Sequence, residues 1–137
     1  MRCPRRLPLT TDYLKQRKQF GAPLARFQAL THRAADMYVL LELASSMSLY
    51  ATMALADGIV DPTIASRAKL QVGRSARKLG QEAIQMHGGI GITAEYPVGH
   101  YVSRLTAIEH TLGTMEDHVR VLAGSVADYD RIEVAGM

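Results

Sequence analysis

Between Leu24 and Asp57 the chain contains neither glycine nor proline, and side chains that are almost all apolar recur there at alternating spacings of three and four: Phe27, Leu30, Ala34, Met37, Leu41, Ala44, Ser48, Ala51 and Leu55. That period belongs to one face of a helix. Arg26, Arg33, Asp36, Glu42 and Ser46 fall largely off the stripe, as a solvated face should. A helix over 24–57 would be about 50 Å long at a rise of about 1.5 Å per residue. A rod of that length with a continuous seam needs partners of similar length, so the stretch commits the chain to a bundle of helices.

The partners are legible downstream. Gly58 stops the first rod, and Asp61-Pro62 supplies a capping carboxylate and a proline at the first helical position of a second, which runs to about His87. Its expected seam is Ala65, Ala68, Val72, Ala76, Leu79, Ala83 and Met86, with Gly73 and Gly80 allowing close backbone approach. The tight loop between the two predicts an antiparallel pair. A third helix restarts at Pro97 with Val98, Tyr101, Leu105 and Ile108 inward, and Gly113 ends it. Thr114 to Asp117 has the form of a capping box, opening a last helix with Met115, Val119, Leu122 and Val126 inward. In front, Thr10-Thr11-Asp12 caps a short helix that runs to Phe20 and stops at Gly21-Ala22-Pro23. No strand alternation is visible. The expected fold is therefore all-α, an antiparallel up-and-down four-helix bundle over residues 10–126, with an unstructured leader over 1–9 and a frayed tail over 127–137.

Composition excludes several classes. At 47% hydrophobic and 21% charged, 137 residues suit one soluble globular domain. No unbroken apolar run approaches the ~20 residues of a membrane span, and the opening segment lacks the apolar core of a secretory signal, so no membrane association and a cytoplasmic location are expected. Cys3, the lone cysteine, cannot form an internal disulfide. A net charge of +3 is small for a nucleic-acid binder. The basic stripe of Arg67, Arg74 and Lys78 reads as a solvated face, and few aromatics accompany it. His32, His87, His100, His110 and His118 lack the spacing of metal ligands, and no nucleophile elbow is present.

Gly88, Gly89 and Gly91 carry more information, because a turn between helices seldom needs three glycines. Glycine tolerates positive φ and lets another group approach the backbone, so the cluster fits a nest of N–H groups facing an anion. It fits a tight structural turn as well, and on the residues alone the turn is favoured while both readings stand.

Several blocks of this sequence resemble the acyl-CoA dehydrogenase C-terminal domain. They are Arg17-Lys-Gln-Phe-Gly-Ala-Pro-Leu24, Phe27-Gln-Ala29, Ala35-Asp-Met37, Ala83-Ile-Gln-Met-His-Gly-Gly-Ile-Gly91, Glu95-Tyr-Pro-Val98 and Gly113-Thr114, in the family's order. The resemblance implies the four-helix bundle of that family and a role in holding FAD. By it, Arg17, Gln19 and Phe20, with Gln28 close by, reach an FAD held mainly by an adjacent subunit. Gln85, Met86, His87, Gly88 and Gly89 do the same, while Thr114 and Glu116 contact the subunit's own cofactor. An arginine fork and glycine N–H groups suit a diphosphate. The resemblance thus implies a homo-oligomer, a dimer or tetramer, or association with missing dehydrogenase domains or a partner subunit, and an acyl-CoA substrate in the complete enzyme.

The family removes the α-proton of an acyl-CoA with a glutamate while a hydride leaves the β-carbon for the flavin. Many members carry that glutamate immediately before the Gly-Thr pair, where this chain has Leu112. Leucine accepts no proton, so the expectation is an FAD-contacting and oligomerisation domain that is inactive alone. The alternative is a helical association module that keeps the oligomer surface without flavin.

Overall fold

A computed structural model of the chain describes residues 6–92 and 97–126. The first five residues of the expected leader, Glu95 and Tyr96 of one family block, and the expected tail over 127–137 lie outside the described residues. Among the described residues five α-helices carry the fold: α1 over Arg6–Gln16, α2 over Gln28–Ala56, α3 over Pro62–His87, α4 over Pro97–Glu109 and α5 over Met115–Gly124. Their limits follow from capping chemistry. Asp61 accepts a hydrogen bond from the Thr63 N–H at 2.7 Å, with Pro62 at the first helical position. Thr114 and Asp117 form the reciprocal capping box that the sequence announces.

α2 and α3 are joined by a short connection and run antiparallel, so that Arg33 near the start of α2 pairs with Glu82 near the end of α3 at 3.6 Å. α4 and α5 lie on other sides of α3, which is touched by every other helix. Leu14 of α1, Met37 of α2 and Met86 of α3 meet in the central apolar cluster, with Leu24, Leu30, Ala34, Leu79 and Ala83 packed round them. Docking through Leu14 explains how so short a helix as α1 persists.

The structure corrects several expectations. α1 begins at Arg6, ahead of the capping oxygens at 10–12, and ends at Gln16 rather than Phe20. After it Lys18–Gln19 (β1) pairs antiparallel with Ala22–Pro23 (β2) in a hairpin whose strands, two residues each, are too short to show alternation. α2 begins at Gln28, not Leu24, because 24–26 form a 3-10 turn and Phe27 is extended at φ −84° and ψ 114°. Towards the end of α2, Met47 and Ala54 turn inward in place of Ser48 and Leu55. Two crossing helices touch along a line parallel to neither axis, so the buried stripe slips from a strict repeat.

On α3, Ala65 and Val72 are exposed, while Ser66, Gly73, Ser75 and Gly80 are buried. Small residues let neighbours come close: a Cβ built on Gly73 would stand 3.3 Å from the Met115 side chain, and one on Gly80 would stand 3.3 Å from Val102. Finally, α2 is long and apolar enough to cross a membrane by length and composition, with mean hydropathy 1.5 over its most apolar window. Counting unbroken apolar runs misses it, because Glu42 and scattered serines and threonines interrupt a segment that is apolar on average.

Candidate functional site

One end of the molecule gathers most of the residues that the resemblance marks. The N–H of Arg17 bonds the Tyr13 carbonyl at 2.8 Å, and the Leu24 N–H bonds the Arg17 carbonyl at 2.9 Å, so the hairpin folds back on the last turn of α1. Phe20 and Gly21 turn the hairpin at φ 53° and 79°. A two-residue loop with both central residues at positive φ matches the twist of the strands it joins, although asparagine rather than phenylalanine is its usual first residue. Phe20 is 94% exposed, and its ring stands edge-on to that of Phe27 at 6.4 Å between centroids. Arg17 and Gln19 are exposed beside it, and Gln28 is exposed at the first position of α2.

The end of α3 comes to the same place. The Tyr13 ring stacks on the His87 ring at 4.5 Å, and its hydroxyl donates to the His87 carbonyl at 3.4 Å. His87 is 2% exposed, with Nδ1 bonded to the Ala83 carbonyl at 2.8 Å, and Met86 belongs to the core. The side chains of Met86 and His87 therefore pack the domain, and what this stretch offers outward is Gln85 and the backbone of Gly88 and Gly89.

The three glycines divide between the two readings left open by sequence. A Cβ on Gly91 would stand 2.9 Å from the Ile84 carbonyl, so Gly91 is a tight turn that admits no side chain. Gly88, at φ 61°, and Gly89 have nothing within 4 Å of where a Cβ would be. Both are exposed, so another group can approach their backbone, with the Gly88 N–H already bonded to the Ile84 and Gln85 carbonyls.

Thr114 and Glu116 stand apart from this end. Met115 between them packs on Gly73, 15 residues before Gly88, which places them about 22 Å back along α3 at about 1.5 Å per residue. Glu116 lines a shallow groove of about 440 Å³ with Arg74, Arg77 and Arg120 on its rim. Of the basic stripe, Lys78 pairs with Glu82 at 3.0 Å, and Arg74 faces the groove. Asp117, bonded by the Thr114 hydroxyl and then by the Thr114 N–H, has its carboxyl held below the ordinary aspartate value. Leu112 stands 88% exposed just before this cap.

Sequence reasoning missed Tyr13, whose ring joins the two family blocks, because nothing in its spacing marks it. It also missed the bond from Ser66 to His118, 52 residues apart, at 3.2 Å.

The family model for the acyl-CoA dehydrogenase C-terminal domain matches residues 1–127. The chain belongs to the acyl-CoA dehydrogenase family. Acyl-CoA dehydrogenase IpdE2 of Mycobacterium tuberculosis is 38% identical over 120 residues, covering 88% of this chain and 36% of that protein. Butyryl-CoA dehydrogenase of Megasphaera elsdenii superposes with a TM-score of 0.84 at 31% identity, covering 88% of this chain and 32% of that one. The ChsE4-ChsE5 complex of Mycobacterium tuberculosis superposes with a TM-score of 0.81 at 25% identity, covering 90% and 34% respectively. This acyl-CoA dehydrogenase domain thus spans about a third of the length of the relatives it matches, and its fold is that of the matched third of the two solved structures.

Proposed function

We propose that the chain is the cofactor-contacting and subunit-associating part of an FAD-dependent acyl-CoA dehydrogenase, and that alone it does not dehydrogenate acyl-CoA thioesters. The observation that carries this reading is the meeting, through Tyr13 and His87, of the Arg17 hairpin with the open backbone of Gly88 and Gly89. The residues present fit a diphosphate. An exposed guanidinium at Arg17 can pair with it, and exposed Gly88 and Gly89, with nothing where a side chain would stand, leave room for it beside the backbone, the Gly88 N–H itself being bonded to the Ile84 and Gln85 carbonyls. Gln19, Gln28 and Gln85 add polar contacts, Phe20 an apolar one, and Met86 and His87 only backbone. FAD, when bound, supplies the acceptor for the hydride that leaves the β-carbon. Leu112 cannot take the α-proton, so the position that the resemblance marks for the base holds none in this chain.

Thr114 and Glu116 are too far along α3 to share that ligand, which supports a domain that touches two cofactors in an assembly. α2 supports the assembly itself. Its inner face packs on α3, while Tyr38, Val39, Leu43, Leu49, Tyr50 and Met53 are exposed on its outer side. Other protein suits that side: a second copy, or the rest of a dehydrogenase.

Size-exclusion chromatography with flavin absorbance tests the reading, because it reports association and cofactor retention together. An associated species that carries yellow flavin is the expected result, without turnover of acyl-CoA. The second reading, an association module without flavin, is favoured by Leu112 at the position of the base. An associated species that stays colourless with added FAD would select it.

A further inference from the structure

Among the described residues only two that are not glycine have a backbone in the left-handed region, Phe20 at φ 53° and Leu112 at φ 61°. Each precedes a left-handed glycine, and they are the two most exposed large apolar side chains, at 94% and 88%. A left-handed leucine costs about 1–2 kcal/mol, and such strain persists only where the surroundings over-determine it. For Phe20 the hairpin does so. For Leu112 the sequence names no device, and the structure supplies one.

The Leu112 carbonyl meets Nε2 of His118 at 3.2 Å, and Nδ1 of the same ring meets the Ser66 hydroxyl at 3.2 Å. A carbonyl only accepts, so Nε2 carries the hydrogen. In the neutral ring Nδ1 then accepts from Ser66. Ser66 is buried in α3, so the imidazole ties the turn to the central helix. On the far side the Thr114 N–H donates to Asp117 at 2.9 Å. Gly113 lies under the ring at φ 97°, where a Cβ would stand 3.1 Å from Nε2.

We infer that His118 is a positioning residue: bridging buried Ser66 and the Leu112 carbonyl, it locks the turn at 112–113 in its strained form and fixes where side chain 112 projects from the domain. On the reading of the chain as an acyl-CoA dehydrogenase domain, position 112 is where the resemblance places a base. His118 then sets the aim of that position whatever side chain occupies it, and here an apolar one is held outward.

A double-mutant cycle on the full chain tests this without cofactor or substrate, so its failure is separate from failure of the proposed function. In the native background L112G should lower the unfolding constant about threefold, the strain relieved less the entropy cost of glycine. In H118A, where the turn relaxes, that gain should vanish. H118Q keeps an N–H donor and should restore it. A nitroxide at L112C in a C3S background should be immobilised with His118 or H118Q and mobile with H118A. Should H118A fail to fold, S66A, which unties the ring from α3, carries the same comparison. An equal L112G effect in every background, or a label equally mobile in all, overturns the assignment.

Discussion

α2 and α3 are of similar length and lie side by side, yet they invert the usual relation between hydropathy and burial. α2 is the apolar helix, and it buries only Met37 and Ala54 while Leu43, Leu49, Tyr50 and Met53 face outward. α3 carries the basic residues, and its deepest positions are Ser66, Gly73, Ser75, Gly80, Met86 and His87. Burial here follows the number of neighbours a helix has rather than its composition. α3 is surrounded and so needs small side chains, whereas α2 packs along its length on α3, meets α1 only near its start, and keeps a spare apolar face. A helix that is apolar on both sides belongs inside something larger.

The largest contrast is expected within α2 itself. Met37→Ala removes a core side chain that meets Leu14 and Met86 and should cost about 3 kcal/mol. Met53→Ala, on the outer face, should leave the unfolding free energy of the monomer, read by urea titration, within about 0.5 kcal/mol of wild type. Equal losses would erase the distinction between the faces. On α3, Gly80→Leu should cost about 2 kcal/mol, because the side chain must enter the space of Val102, and loss of α4 contacts by hydrogen exchange would check it. If Gly80→Leu instead stabilised the chain through better helix propensity, α3 would not be the crowded helix.

These contrasts also mark what sequence could reach. The helices, the antiparallel pairing and the Asp61 and Thr114 caps were legible, since periodicity and capping are local. The inner seam of α3 was legible in part: Leu79, Ala83, Met86 and the close approach at Gly73 and Gly80 were read, whereas Ser66 and Ser75 were not, because a buried serine looks like a solvated one until its neighbours are seen. The family blocks flagged Arg17 and Gly88, but their meeting depends on Tyr13 reaching His87, 74 residues away. Likewise no local signal tells that Gly91 is a steric necessity and Gly89 an open surface.

Smaller effects sharpen the picture at the α5 cap. Thr114→Ala should cost about 1 kcal/mol, read by thermal unfolding. Asp117 is held below its ordinary value in the folded state, so it favours folding above the ordinary aspartate range, and that contribution is lost as the pH falls through the lowered value. Asp117→Asn should flatten this acid limb of the stability profile. Smallest of all, Phe20→Asn should stabilise the hairpin by less than about 1 kcal/mol, since asparagine accepts positive φ more readily. A loss of stability on that change would mean that Phe20 packs within the chain.

Sedimentation equilibrium of the full chain beside an L43S/M53S variant decides most directly whether the outer face of α2 is built for contact. The expected result is a mass that is a multiple of 15.0 kDa and falls to the monomer when those two side chains become polar. A wild-type chain that stays monomeric at all concentrations, or a variant that associates unchanged, would contradict it.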